Sequence, residues 1–263
     1  MPPSFPRRAT PWRTLAALAV LLPAAVASRV FEPPFTGRAP PKAVLFDADG
    51  TLLDSLPPHI DFLHARNAEL PPEHRLTLPA RDDLSGCRAL AAAPMEAFFR
   101  RAGFQEDAIG GLVAAYDARF GAEHPVRPFP LVRAMLMALR ARGVRCAVVS
   151  SNTAANVRCG LGPDLVALLD CVLGVDDYAD KAEAIPAALR QLGLAADEAV
   201  YVGDTAKDGG KAMTAAMRFA GVGYGFEDLA ETAGAQGLRL DAMPCVDVSE
   251  RSPRGCPHHS PAR

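Results

Sequence analysis

Residues 43–51, with the sequence AVLFDADGT, join a short apolar run to two aspartates and a glycine. The run from Ala43 to Phe46 is typical of a strand that is buried on both faces, and the residues after it indicate a turn. Because residues i and i+2 leaving a strand point the same way, Asp47 and Asp49 would lie close together and repel each other. The stretch therefore predicts a buried strand that ends in a pair of carboxylates in need of a cation or a shared proton.

The same apolar pattern recurs along the chain, with helical patterns between the runs. Strong strand candidates are Val144 to Val149, Ala199 to Val202 and Phe219 to Val222; weaker ones are Cys171 to Leu173 and Cys245 to Val248. Strands that alternate with helices predict the α/β class, as a doubly wound, parallel, right-handed sheet. In such sheets ligands bind at the carboxyl ends of the strands.

The interval 57–125 breaks this alternation. It holds helical candidates at Ile60 to Leu70, Leu90 to Ala102 and Ala108 to Phe120, and no convincing strand. We expect a small helical cap domain here, inserted after the first strand and able to exclude water and choose substrates. The predicted core is then 42–56 together with 126–248.

Residues 1–41 carry five arginines against one acid, and a 13-residue apolar run from Leu15 to Ala27. That run is shorter than the roughly 20 residues that span a bilayer, so we expect no stable membrane anchor. The pattern is typical of a cleaved targeting segment, either for an organelle such as a plastid or for secretion. The last residues, 249–263, lack periodicity and are expected to be a disordered tail.

The overall charge excludes some classes of partner. The chain has 28 basic and 30 acidic side chains, for a formal net charge of −2, so no field of one sign would hold nucleic acid. Its six cysteines include no Cys-x-x-Cys pair, which argues against a zinc cage. A small-molecule substrate and a monomer or homodimer are the expectation.

A second acidic cluster follows the strand candidate Ala199 to Val202. Asp204 and Asp208 would face the first pair if the two strands are neighbours, although a Gly-Asp turn alone is more often structural. Three or four carboxylates with water suit a hard cation, and Mg²⁺ prefers a few carboxylates together with a substrate phosphate. The two clusters together predict a magnesium site formed by Asp47, Asp49, Asp204 and Asp208.

Groups that could bind phosphate follow the strands that remain. The hydroxyl of Ser150 and the backbone around Ser151 could donate hydrogen bonds to phosphate oxygens. The chain has only four lysines against 24 arginines, which favours a specific use for the compact ammonium of Lys181, against both a phosphate and a carboxylate. A solvated surface lysine is the alternative.

Over roughly residues 42–248, the sequence resembles the four motifs of the haloacid dehalogenase superfamily, in the same order. The matching residues are Asp47-x-Asp49-Gly50-Thr51, Ser150, Lys181 and Gly203-Asp204-x-x-x-Asp208. Longer matches resemble its phosphoglycolate phosphatase branch. They are Leu52-Leu53-Asp54-Ser55, Asn67 and Gly221-Val222-Gly223-Tyr224-Gly225.

The resemblance implies a Mg²⁺-dependent phosphatase that hydrolyses a small phosphomonoester, 2-phosphoglycolate or similar, through an aspartyl-phosphate. Asp47 would attack phosphorus, and Asp49 would protonate the leaving alcohol and later activate water. Ser150 and Lys181 would hold the phosphoryl oxygens. The metal would bind Asp47, the backbone carbonyl of Asp49, Asp204 and the phosphate, while Asp208 orients a metal-bound water or Lys181.

The chain departs from the family pattern in three places. Ala182 replaces a common proline, Leu131 stands where a glycine usually follows Pro130, and Gly209-Gly210 replaces an apolar residue. None of these removes a catalytic group, but the two glycines could loosen the helix that carries Asp208 and so weaken metal binding.

Other functions stay open at this point. Asp49 argues against a dehalogenase, because that branch lacks the second aspartate, whereas a sugar phosphomutase and a non-catalytic binding or scaffold protein fit the same fold. The cap arginines could meet a substrate carboxylate, while His59 and His64 receive no role. These arginines are Arg66, Arg75, Arg81, Arg88, Arg100, Arg101 and Arg119.

Overall fold

A five-stranded parallel sheet forms the centre of the protein in the computed structural model, which describes residues 40–227 and Leu229. Its strands are β1 (Ala43–Phe46), β4 (Arg145–Val149), β5 (Cys171–Leu173), β6 (Ala199–Gly203) and β7 (Arg218–Gly221). The sheet order is β5-β4-β1-β6-β7, and all four pairings are parallel. The α/β class and the parallel sheet expected from the sequence are confirmed.

Helices cover both faces of the sheet. Val44 and Phe46 pack on one face with α5 (Val132–Arg140), α6 (Ala154–Leu161) and α7 (Pro163–Val166). Ala43 and Leu45 pack on the other, with α8 (Lys181–Leu192) and α9 (Ala206–Thr214). Because both faces are covered, the strand residues are apolar without alternation, which is the pattern seen in the sequence.

The order of the strands decides where a ligand can bind. From β1 the chain moves to β4 and β5 on one side, then returns to β6 and β7 on the other. The connections after β1 and β6 therefore diverge, which opens a crevice at their carboxyl ends. Phe46 pairs with Val202 at this edge, so Asp47 and the β6–α9 turn come together there.

Four α-helices lie within residues 56–123, and we call them the cap: α1 (Leu56–Glu69), α2 (Leu84–Leu90), α3 (Met95–Ala102) and α4 (Glu106–Glu123). They share an apolar cluster that includes Phe62, Leu63 and Phe99. The helix expected from Leu90 to Ala102 is wrong, since the chain leaves the helix at Ala91 and α3 starts after Pro94. Proline lacks an N–H and disfavours a helical residue before it, so one helix cannot run through this point.

A two-stranded antiparallel ribbon joins the sheet to the cap. Its strands are β2 (Leu53–Asp54) and β3 (Arg127–Pro128). Elsewhere in the described chain, short 3-10 helices occur at Pro72–His74 and Ala196–Glu198. The sequence does not predict the ribbon, because two residues per strand are too few to show a period.

Several expectations concern residues outside the described part. The targeting segment, apart from residues 40 and 41, the strand candidate Cys245 to Val248 and the tail at 249–263 all fall there. Among the described helices, none combines the length and the apolar character needed to cross a bilayer.

Candidate active site

Three buried aspartates meet at the crevice between β1 and β6. Asp47 follows β1, Asp204 follows β6, and Asp208 lies in the first turn of α9. Their exposed fractions are 7, 0 and 2 %. One carboxylate oxygen from each lies within 4.8 Å of the other two. The two acidic clusters of the sequence therefore form one site.

Two glycines allow the chain to close tightly around Asp204. A Cβ on Gly50, where φ is +77°, would lie 2.1 Å from its Oδ2, and a Cβ on Gly225 would lie 2.2 Å from the same atom. The hydroxyl of Thr51 donates to Oδ1 at 3.1 Å, and the amide N–H of Phe226 donates to Oδ2 at 2.7 Å. Only glycine permits this approach, because any side chain there would overlap the carboxylate.

Lys181 is the cation that touches this cluster among the described residues. Its Nζ lies 2.8 Å from Oδ1 of Asp47 and 2.7 Å from Oδ1 of Asp208. The other oxygen of Asp208 accepts from Thr205 Oγ1 at 2.6 Å and from its backbone N–H at 3.2 Å. Both oxygens of Asp208 therefore accept hydrogen bonds, one from Lys181 and the other from Thr205, the N-cap residue of α9.

Burial dominates the protonation of the site. It raises the pKa of Asp47 well above its usual range, against the opposing charge of Lys181, and raises that of Asp204 to about 7. Burial alone would lower the pKa of Lys181, but Asp47 and Asp208 outweigh it and hold that pKa high.

The donor set fits a divalent cation. Within residues 40–227, the three buried carboxylates have one ammonium beside them, so their full ionisation would leave negative charge uncompensated. Carboxylate oxygens are the ligands that Mg²⁺ prefers. Asp47 and Asp204, with the backbone carbonyl of Asp49, are the groups that would hold the ion.

Comparisons with known proteins agree with this geometry. A profile of haloacid dehalogenase-like hydrolases matches residues 44–222. A phosphoglycolate phosphatase from Rhodospirillum rubrum is 34% identical over 199 residues, 71% of this chain and 81% of that one. One from Caulobacter vibrioides is 32% identical over 205 residues, 73% of this chain and 84% of that one.

A solved structure from Lactobacillus delbrueckii subsp. bulgaricus has a TM-score of 0.62 at 20% identity, covering 81% of this chain and 97% of that one. The chain belongs to the haloacid dehalogenase-like hydrolase family. The resemblance read from the motifs is therefore confirmed, and the protein is a hydrolase of this family.

Asp49 of this haloacid dehalogenase-like hydrolase stands apart from the carboxylate cluster. Its side chain is half-buried, and Oδ2 accepts a hydrogen bond from Nδ2 of Asn152 at 3.1 Å. Its carboxylate is not part of the group of three that could hold a metal. Asn152, which donates this hydrogen bond to Asp49, is not among the residues expected from the sequence.

The loop after β4 presents one buried hydroxyl and one exposed hydroxyl. Ser150 is 4 % exposed, and its Oγ accepts from the N–H of Asn152 at 3.0 Å, so its own proton can be donated to a ligand. Ser151 is exposed. Asn152 also accepts from the N–H of Thr153. The feature of the sequence that could have pointed to Asn152 is its position directly after Ser150 and Ser151.

On the cap side, His59 lies in an aromatic cluster close to Asp49. Its Nε2 lies 3.0 Å from the hydroxyl of Tyr116, and its Nδ1 contacts the carbonyl of Ser55. Burial lowers the pKa of His59, and the negative charge of Asp49 opposes that shift. Phe226 from the core packs against His59 at 6.2 Å between ring centroids.

The seven cap arginines divide into two groups. Six bond within the cap, either to its acids or to its backbone carbonyls. The seventh, Arg88, reaches the core: Nε donates to the carbonyl of Gly225 and Nη2 to that of Gly223, both at 2.8 Å. The sequence offers no sign of this difference.

Proposed function

We propose that the chain is a Mg²⁺-dependent phosphatase that hydrolyses a small phosphomonoester, 2-phosphoglycolate or a close analogue, through a phosphoaspartate on Asp47. The observation that carries the proposal is the buried Asp47 beside Lys181, in a cluster with two further aspartates. The substrate class is supported by two relatives named as phosphoglycolate phosphatases at 34 and 32% identity.

Asp47 has the properties of an oxygen nucleophile. Its Oδ1 accepts from the N–H of Ala48 at 2.7 Å and lies 2.8 Å from Nζ of Lys181. These contacts fix the orientation of the carboxylate and favour its ionised form against the effect of burial. In its ionised form, a carboxylate oriented in this way can attack phosphorus directly.

In the first step, an oxygen of Asp47 bonds to phosphorus while the bond from phosphorus to the ester oxygen breaks. The electron pair leaves with that oxygen, which Asp49 protonates. In the second step, Asp49 removes a proton from water, and the water oxygen attacks phosphorus to release phosphate and restore Asp47. The hydrogen bond from Asn152 holds Asp49 in place for both transfers.

Lys181 and Ser150 stabilise the charge that develops on the phosphoryl oxygens. The side chain of Lys181 is 9 % exposed, so the interaction of its ammonium with a bound phosphoryl group is little screened by solvent. Ser150 offers a neutral donor from the neighbouring strand end. When bound, Mg²⁺ supplies positive charge to the same oxygens and orients them.

The decisive experiment is phosphate release from a panel of small phosphorylated acids and sugars, with Mg²⁺ and with chelator. We expect Mg²⁺-dependent release, with 2-phosphoglycolate among the best substrates, and its loss in Asp47→Asn. The matched control is Asp61→Asn, an exposed cap acid paired with Arg81. Equal rates in chelator would contradict the proposal.

The same panel separates a phosphatase from a phosphomutase. A phosphatase releases inorganic phosphate from a sugar 1-phosphate, whereas a mutase returns an isomeric sugar phosphate. Turnover to the isomer without phosphate release would move the chain to the mutase class. Binding of phosphorylated ligands without turnover would move it to the non-catalytic class.

A further inference from the structure

A short loop after β7, residues 223–226, lies against the carboxylate of Asp204. Its Phe226 N–H donates to Oδ2 of Asp204 at 2.7 Å, and Gly225 lies against the same oxygen. The hydroxyl of Tyr224 donates to the carbonyl of Thr51 at 2.9 Å, which ties the loop to the turn after β1. The position of residues 223–226 therefore sets the position of the Asp204 carboxylate.

The cap holds this loop from the other side. Arg88 of α2 donates from Nε to the carbonyl of Gly225 and from Nη2 to that of Gly223. The side chain of Phe226 packs with the apolar cluster of the cap. A guanidinium fork matches two acceptors with fixed spacing, and its hydrogen bonds are charge-assisted and stronger than neutral ones.

We propose that Arg88 is a positioning residue for the metal site: by fastening residues 223–226 from the cap, it holds Phe226 and Gly225 against Asp204. The inference deepens the proposed function and rests on the metal requirement stated there. Arg88 acts through the loop and not on the substrate.

Coupling of this kind works in both directions. If a closed cap strengthens metal binding, metal binding must favour the closed cap by the same factor. The site for the cation is then complete only when the cap lies on the core. An open cap would leave Asp204 with one hydrogen bond fewer to hold it.

The test is the binding of Mn²⁺, used as a probe for Mg²⁺, to the full chain without any phosphate ester. Free Mn²⁺ is measured by electron paramagnetic resonance for the wild type, Arg88→Met and Arg75→Met. Arg75 is the matched control, because it also donates to two backbone carbonyls, those of Leu70 and Ala68, but within the cap.

We expect the Mn²⁺ dissociation constant to rise about tenfold in Arg88→Met, which corresponds to about 1.4 kcal/mol, and to stay unchanged in Arg75→Met. Unchanged affinity in Arg88→Met overturns the proposal, and so does a wild type that binds no Mn²⁺. If Arg88→Met does not fold, Arg88→Lys replaces it. Lysine keeps the charge without the fork, so a severalfold loss is expected and unchanged affinity is again contrary.

Kinetics distinguish this role from a contact with substrate. At saturating Mg²⁺, we expect Arg88→Met to change KM for 2-phosphoglycolate and for a carboxylate-free ester such as ethyl phosphate by the same factor. A rise in KM confined to 2-phosphoglycolate overturns the proposal in favour of carboxylate binding. Because Mn²⁺ binding needs no substrate, a chain that fails to hydrolyse phosphoglycolate would refute the proposed function and leave the result on Arg88 standing.

Discussion

Nζ of Lys181 lies 2.8 Å from Oδ1 of Asp47, and the two side chains are 9 and 10 % exposed. The lysine begins α8, where the helix dipole disfavours a positive charge. The carboxylates of Asp47 and Asp208 offset that penalty. This pair therefore joins the sheet to α8, and Lys181 opposes the rise in the pKa of Asp47 that burial causes.

Replacing Lys181 with Met should lower kcat/KM by about 100- to 1000-fold, as expected when a buried donor to the transition state is lost. Loss of the ammonium should also raise the pKa of Asp47 further, so the acidic limb of the pH–rate profile moves to higher pH. The measurement is kcat/KM against pH. Lys211→Met is the control, because Lys211 pairs with the exposed Asp180; an equal loss there would argue against a specific role.

Mg²⁺ should stabilise the protein more at about pH 8 than at about pH 6. Burial raises the pKa of Asp204 to about 7 in the folded, metal-free protein, well above the usual range for an aspartate. A raised pKa means that the folded state binds the proton more tightly, so this group's contribution to stability falls as pH rises from about 4 to 7. At the higher pH, Mg²⁺ offsets the cost of burying the ionised carboxylate of Asp204. At the lower pH, the ion must first displace the proton from that carboxylate.

Thermal unfolding with and without Mg²⁺ at the two pH values checks this. Asp204→Asn should abolish the Mg²⁺-induced rise in Tm at both. An Mg²⁺ effect that is independent of pH would refute the assignment of Asp204 as the titrating ligand.

Gly225→Ala should weaken metal binding, because the added methyl would lie 2.2 Å from Oδ2 of Asp204. The loop must then move away from Asp204, and the hydrogen bond from the N–H of Phe226 to Oδ2 is lost. The measurement is the Mg²⁺ concentration for half-maximal activity, expected to rise severalfold. Gly110→Ala in α4, where no atom from outside the local helix backbone lies within 4 Å of the new Cβ, is the control and should leave that concentration unchanged.

Leu131→Gly should stabilise the protein by about 1 kcal/mol, because Leu131 adopts φ +76°, a conformation that costs a side-chain-bearing residue about 1–2 kcal/mol. The leucine is 44% exposed, so little burial is lost. This strain gives a physical reason for the glycine that the family pattern favours here.

Chemical denaturation measures the change in the free energy of unfolding. The control is Met137→Gly, an equally exposed position inside α5, which should cost about 1 kcal/mol. A destabilised Leu131→Gly would show that the side chain contributes more than its backbone conformation costs.

The sequence predicts those features that depend on local pattern. The buried strands, the turn at Gly50 and the two aspartate clusters all follow from apolar runs and the residues that end them. Gly209 and Gly210 do not prevent α9 from extending from Ala206 to Thr214. Their effect on metal affinity stays a prediction.

Features set by tertiary contact were not predictable. Arg88 differs from six other cap arginines only in what it touches, and nothing in its neighbours in sequence marks it. Asn152 and Phe226 act through contacts with residues far along the chain, 103 positions away for Asn152 and Asp49 and 22 for Phe226 and Asp204. Hydrophobic periodicity cannot report such pairs.

The chain enters the cap through β2 and leaves it through β3, and these two strands lie side by side, with Leu53 opposite Pro128 and Asp54 opposite Arg127. An insert whose ends are neighbours can be lengthened, trimmed or exchanged without altering the register of the sheet. The cap can thus diversify while the groups at the ends of the strands stay where they are. Arg88 is the exception within the cap, because its hydrogen bonds to the loop after β7 tie it to the core.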